Sequence, residues 1–321
     1  MTGPSIVAWH VHGAWSTSFV HGPWTTLTPA AADRGPAGSG RPTTYTWPHR
    51  AVEVTPEQLR DTPIDCVVLQ RPMDLELLHA WTGMRAGRDV PAIWVEHNTP
   101  PQGPTMRHPM AERSDIPIVH VTHFNALMWD NGHAPVHVVE HGIPDPGWHW
   151  RGSLPRAGVV SNEPVRRNRV TGTDLLPRLA EVTPIDVFGI ASEPLTAPEV
   201  GRGITGMGDV PHDAMLAQLA ERTIYLHLCR WTSLGLALLE AMHLGMPVVG
   251  LATTEAPEAL EGSGAVLSND PDRLVRAIRT LLHDRDAAAE AGRRNRQHAL
   301  ARFGLDRFLA DWEPIIKEVA G

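Results

Sequence analysis

A chain of 321 residues, 42% hydrophobic and 20% charged, has room for two ordinary domains, each with its own core. Its formal charge of -8, with no long basic run, excludes a protein built to ride a nucleic-acid backbone. The two cysteines, Cys66 and Cys229, lie in or at the end of apolar runs, where a free thiol behaves as a small hydrophobe, so no disulfide and a reducing, cytoplasmic compartment are expected. Lys317 is the one lysine among 28 basic residues, so a phosphate clamp away from the C-terminus has to use arginine.

In chain order, Ile6 to Val11, Cys66 to Gln70, Ala92 to Glu96, Ile118 to Val121 and Val136 to Glu140 are short apolar runs that read as buried parallel strands. Leu75 to Arg85 and Asn125 to Asp130 read as helices between them. No basic segment followed by a long apolar run opens the chain, and no run reaches membrane-spanning length, so no integral membrane segment is expected. Thr25 to Thr55 is rich in Pro, Gly and Arg, lacks usable periodicity, and reads as a long loop. Gly142 to Pro155 has the composition of an interdomain connection.

The second half repeats the alternation. Strands are expected at Gly158 to Ser161, Ile185 to Phe188, Ile224 to Leu228 and Pro247 to Leu251. Helices are expected at Asp174 to Glu181, Asp213 to Glu221, Gly235 to Leu244 and Glu255 to Glu261, followed by a helical tail from Asp270. The expected fold class is α/β, with two Rossmann-like doubly wound domains facing each other across a cleft. Residues 1–150 form the first, 151–305 the second, and 306–321 a C-terminal helix crossing back to the first.

The segment Thr232-Ser-Leu-Gly-Leu-Ala-Leu-Leu-Glu240-Ala-Met-His-Leu-Gly-Met-Pro-Val-Val-Gly250 reads as loop, apolar helix, glycine stop and buried strand. A helix apolar on nearly every face is buried, and an unpaired carboxylate inside it costs several kcal/mol. Glu240 therefore needs a partner. One reading is a buried arginine. The other is a ribose whose hydroxyls donate to the carboxylate, with Gly235 and the amides of the helix start facing a diphosphate.

This segment resembles the retaining GT4-like glycosyltransferases of the GT-B fold, whose signature has two glutamates separated by seven residues, then Ala-Met and Gly-x-Pro-Val-Val. Glu240 is the second glutamate, followed by Ala241, Met242, Gly245, Pro247, Val248 and Val249, while Thr232 stands where the first would be. Thr253 to Glu258, Pro271 to Leu282 and Arg302 to Trp312 extend the likeness. Gly172-Thr-Asp-Leu-Leu176 resembles the family's Lys-Gly-x-Asp-Leu-Leu, with Thr171 in the lysine position.

The resemblance implies transfer of a hexosyl unit from a nucleoside-diphosphate sugar to an acceptor hydroxyl of a glycan or small molecule, with retention. No cofactor or metal is implied beyond the sugar nucleotide as co-substrate. It assigns Glu240, Gly235, Leu236, Gly13, Arg167 and Arg169 to the nucleotide, and Thr232, Ser233 and Leu234 to the donor sugar. Arg166 becomes the cation on the leaving diphosphate. His97 becomes the residue at the reacting centre.

His12 and His141 are acceptor-side candidates because each sits just beyond a strand, and Trp15 because its ring suits stacking on a sugar face. His10 and His12 share a face of the first strand as read, yet no complete metal-ligand set exists by spacing. Trp9, Trp24, Trp47, Trp148 and Trp150 suit either sugar stacking or ordinary packing. The alternative function is a non-catalytic nucleotide-sugar-binding module, motivated by Thr232 and Thr171. A nicotinamide-dependent oxidoreductase is excluded, since His12-Gly13-Ala14 replaces a Gly-x-Gly-x-x-Gly fingerprint.

Overall fold

The structure, a computed structural model, describes residues 3–321. It divides into two compact units, one made of residues up to Pro144 together with Leu305–Gly321 and one of Asp145–Gly304.

The first unit runs β1 (Ser5–Ala8), α1 (Gly13–Phe19), β2 (Thr25–Pro29), β3 (Ala51–Val54), α2 (Pro56–Asp61), β4 (Cys66–Leu69), α3 (Pro72–Thr82), β5 (Ala92–Glu96), β6 (Ile118–His120), α4 (His123–Met128) and β7 (Val136–Val138). The strands form one parallel sheet in the order β3-β2-β1-β4-β5-β6-β7. β4 and β5 are buried along their whole length, as strands covered on both faces must be, and this explains the apolar run of β4 and that of β5 up to Val95.

The second unit runs β8 (Leu154–Val160), α5 (Pro164–Arg167), α6 (Leu176–Ala180), β9 (Ile185–Phe188), β10 (Ile204–Gly208), α7 (His212–Leu219), β11 (Arg222–His227), α8 (Leu236–His243), β12 (Val248–Gly250), α9 (Ala256–Ala259), β13 (Val266–Leu267), α10 (Pro271–His283) and α11 (Arg285–Arg302). Its sheet is also parallel, in the order β10-β9-β8-β11-β12-β13. α12 (Leu305–Ala320) then joins the first unit, where Trp312 meets Trp15 and Phe19 edge to face at 5.9 and 5.3 Å.

Two expectations are corrected here. Residues Thr25 to Thr55 are not one loop, because β2 and β3 lie at its two ends. β1 stops at Ala8, so His10 and His12 follow the strand rather than sharing one of its faces. β10 and β13, absent from the sequence reading, complete the second sheet at its two edges.

Both sheets reverse their strand order once, between β1 and β4 and between β8 and β11. At such a point the loops leaving the two strands run to opposite faces, which opens a crevice at the carboxyl edge. The sequence motifs lie on these loops.

Candidate functional site

In the second unit the crevice is bounded by the loops after β8, β11 and β12. The first two are locked together. Gly172, at φ 78°, lies where a Cβ would come within 2.1 Å of the Leu228 carbonyl oxygen, so only glycine permits the approach. Arg230 completes the lock: its amide donates to the Val170 carbonyl at 2.8 Å, and its guanidinium donates to both oxygens of Asp174 at 2.5 and 3.1 Å. These hydrogen bonds hold the Asp174 carboxyl below its usual range, helped by the charges of Arg230 and Arg169, although burial pushes the other way.

The three arginines singled out in the sequence differ in position. Arg166 is exposed and pairs with Glu163 at 2.8 and 2.5 Å. Arg169 pairs with Asp174 at 2.9 Å. Arg167 is half-buried, and its charge acts on Cys229, whose thiol burial pushes up against that influence and a hydrogen bond from Thr232. Arg167 thus lowers the Cys229 thiol in the segment after β11, while Arg169 touches that segment through its carbonyl, which accepts from Arg230 at 2.8 Å.

That segment leads into α8. Thr253 donates to the Cys229 carbonyl at 2.6 Å and Thr254 to the Ser233 carbonyl at 3.1 Å, so the loop after β12 fixes Thr232, Ser233 and Leu234 from outside. Thr254 has φ 52°, and Glu163 and Asn168 in the loop after β8 are also left-handed at 52° and 33°. A β-branched residue in this region is strained, and such strain concentrates at ligand sites. Gly235 is the N-cap of α8 and offers no side chain to its first turn, leaving the amides at Leu236 and beyond for an anion.

Glu240 is 7% exposed, and its protein partner is neither an arginine nor an unfilled space. His212, the first residue of α7, donates from Nε2 to Glu240 Oε1 at 2.8 Å. Burial alone would lower the imidazole pKa, but the hydrogen bond and charge of Glu240, with Asp213 adding, raise it overall. His227, at the end of β11, is a second residue the sequence reading missed. Its Cε1 lies 3.7 Å from where a Cβ on Gly235 would stand, its Nε2 is buried without a partner, and burial holds its pKa at about 4.

In the first unit, four residues expected from the sequence come together at the carboxyl edge. The rings of His12 and His97 are 4.0 Å apart, and Trp15 meets His97 edge to face at 5.1 Å. A charge on His141 acts on His97, and one on His12 acts on His141. Gln70 Nε2 donates to the Trp9 carbonyl at 2.8 Å, which fixes its Oε1 as the acceptor facing His97 Nε2 at 3.0 Å. His97 Nε2 thus carries the proton, and Nδ1 is left as an acceptor. Burial, then the charges of His12 and His141, push the His97 pKa well below 6.5, and burial takes His12 to about 4 and His141 to about 3. The trio is neutral.

Gly13 opens α1, and a Cβ there would meet the Tyr45 ring at 3.2 Å and His10 Nε2 at 3.6 Å, so side chains fill that space. Of the tryptophans, Trp9, Trp15, Trp24, Trp47 and Trp150 are buried and serve packing, and Trp148 is exposed, standing over Gly245. Among the described residues no three His, Cys, Asp or Glu side chains are grouped to hold a metal ion, and no helix is long and apolar enough to cross a membrane.

Residues 176–284 match the family described as glycosyl transferases group 1. No curated protein matches the chain. Among solved structures, Anabaena HepE in complex with UDP and glucose superposes with a TM-score of 0.70 at 13% identity, over 99% of this chain and 100% of that one. A glycosyltransferase from Rickettsia africae superposes with a TM-score of 0.68 at 11% identity, over 99% of both chains. S. aureus TarM, bound to UDP and other ligands, superposes with a TM-score of 0.63 at 12% identity over 78% of this chain, which spans only 55% of that protein. The chain therefore shares the two-domain GT-B fold of these structures, and residues 176–284 of its second unit match the glycosyl transferases group 1 model.

Proposed function

We propose that the chain transfers a hexosyl unit from a nucleoside-diphosphate sugar to an acceptor hydroxyl, with retention, as a GT4-like enzyme of the cytoplasm that needs no metal. The observation that supports it best is Glu240. This carboxylate lies about one and a half helical turns inside α8 from an uncapped glycine N-terminus, at the carboxyl edge beside a strand-order reversal. The family match spans the same segment.

In this reading the ribose hydroxyls donate to Glu240, and the diphosphate rests on the amides from Gly235 to Leu236. Arg167 neutralises the leaving charge where the notional lysine position is Thr171. Stabilising charge that develops on a leaving group is the largest single contribution such a site can make. His97 accepts a hydroxyl hydrogen bond through Nδ1 at the reacting centre, and His12 and His141 shape the acceptor side, with the buried Trp15 ring packed edge to face against His97. Two free thiols suit the reducing compartment. The structure of HepE in complex with UDP and glucose supports a uridine nucleotide as the first donor to try.

Thr232 favours a second reading. Its short neutral side chain, hydrogen-bonded to Cys229, makes fewer and weaker bonds to sugar hydroxyls than a glutamate would. Either the donor is a sugar lacking a hydroxyl there, or Glu255 or Glu258 supplies a carboxylate, or the chain binds sugar nucleotides without transferring them. A panel of UDP-, GDP- and dTDP-sugars with wild type and Thr232→Glu decides. Transfer or donor hydrolysis by wild type is expected, and its absence with every donor, alongside retained nucleotide binding, leaves the binding module as the function.

A further inference from the structure

We infer that His212 is a positioning residue for the donor nucleotide: it acts through Glu240 and makes the site discriminate ribose from deoxyribose. The inference rests on the assignment of Glu240 to the ribose. A carboxylate that accepts two vicinal hydroxyls has to present its oxygens in a fixed plane, because a torsion of the side chain moves one oxygen out of reach of its hydroxyl. Glu240 sits in the middle of α8, with apolar residues Leu238, Leu239, Ala241 and Met242 beside it, and these offer its oxygens no hydrogen bond. His212 supplies one. Its Nε2 lies 2.8 Å from Glu240 Oε1, and since a carboxylate oxygen only accepts, Nε2 must carry the proton.

The bond crosses from the start of α7 to the middle of α8. At the other end of the ring, Nδ1 lies 3.6 Å from the Asp213 carboxylate, whose side chain is 99% exposed, so that contact is a screened charge interaction and the bond to Glu240 is the one that sets the geometry. The imidazole side chain is 19% exposed and that of Glu240 9%, so the pair is shielded enough for its geometry to matter and open enough for a ligand to reach it. Glu240, and to a lesser degree Asp213, favour the imidazolium of His212. A pair drawn up this way presents an oriented acceptor before the nucleotide arrives, which reduces the ordering cost of binding.

The sequence pattern could not reveal this partner, since 28 residues separate the two and one lies on a different helix. The pairing also has a consequence for specificity. If His212 orients Glu240, its removal weakens only the contacts Glu240 makes, and these go to ribose hydroxyls. A residue that merely stabilised the second unit would weaken all nucleotides alike.

The test is a titration of full-length wild type, His212→Leu, His212→Gln and Glu240→Gln with UDP and with 2′-deoxy-UDP, followed calorimetrically, with the melting temperature of each variant recorded. The expected result is a five- to tenfold loss of UDP affinity in His212→Leu, a clearly smaller loss for 2′-deoxy-UDP, which keeps one of the two hydroxyls that Glu240 accepts, and substantial recovery in His212→Gln, whose amide can donate in place of Nε2. Equal losses for the two nucleotides in His212→Leu, or no loss for either, overturn the inference. Should Glu240→Gln itself show no preference for losing the ribonucleotide, the ribose assignment fails first, and that outcome is told apart from a failure of His212 alone.

Discussion

Arg230 and Asp174 face each other across two loops, the guanidinium donating to both carboxylate oxygens at 2.5 and 3.1 Å. The fork also reaches the Arg169 carbonyl at 2.8 Å, so one side chain ties the loop after β11 to the loop after β8. Both side chains are a quarter exposed, so the pair is partly screened and is worth about 1 kcal/mol in stability. Its greater effect is on where Arg167 and Thr232 stand. Arg230→Ala is expected to lower the melting temperature by only a few degrees while raising the donor KM about tenfold. Arg230→Lys is expected to recover little, because an ammonium cannot bridge two oxygens and a carbonyl in one plane. Steady-state kinetics with thermal melts check both.

Arg167 is expected to dominate the three basic residues of its loop. Arg166 and Arg169 already face Glu163 and Asp174, whereas the field of Arg167 reaches Cys229 beside the donor segment. Arg167→Ala is expected to reduce turnover about a hundredfold or more, with Arg166→Ala and Arg169→Ala within about threefold of wild type. Three equal, small effects would mean a solvated loop. Activity is expected to persist in EDTA, and loss with recovery on adding a divalent ion would establish a metal requirement.

The buried histidines set the response to acid. His12, His120 and His227 are held at about 4 and His141 at about 3, each first by burial, against 6.5 for an ordinary imidazole. In the window from about 6.5 down to about 4 the unfolded chain binds protons that the folded chain refuses, so stability is complete above 6.5 and lost as pH falls. Each such group carries about 1.4 kcal/mol per pH unit, and four acting together outweigh His212, whose raised pKa works in the opposite sense. The melting temperature is expected to fall by about 10 °C or more between pH 7 and pH 5.5. A flat profile would mean that the imidazoles are protonated in the fold.

His97→Ala is expected to lower turnover far more than nucleotide affinity. A contact made chiefly in the transition state appears in kcat, and the His97 ring belongs to the unit that does not contain Glu240. Single-turnover rates and UDP titrations on the same preparation separate the two effects. An unchanged turnover number would remove His97 from the reacting centre.

The strands buried on both faces were legible in the sequence because burial leaves them mostly apolar, with one charged position each, Glu96 and Asp186: Ala92 to Glu96 and Ile185 to Phe188 appear in the structure with the bounds read from the chain. The missed strands have physical reasons. β3, β10 and β13 lie at sheet edges, where one side pairs with nothing, and they show it in exposed Val52, in the glycines of Ile204–Gly208 and in a length of two residues. β2 was hidden by its threonines and proline. At the site, the local string from Thr232 to Gly250 was legible, since helix, cap and strand follow one another in the chain. The partners that tune it were not. His212, Arg230 and Gln70 reach Glu240, Asp174 and His97 across 28, 56 and 27 residues, and only the fold brings them together.

The central claim is that Glu240 holds the ribose of a sugar nucleotide, and calorimetric titration of wild type and Glu240→Gln with UDP tests it most directly. Two hydrogen bonds to an ionised acceptor together contribute about 3 kcal/mol, so Glu240→Gln is expected to bind UDP at least tenfold more weakly while keeping its fold. Wild-type affinity in the variant would contradict the account and make the carboxylate a structural partner of His212.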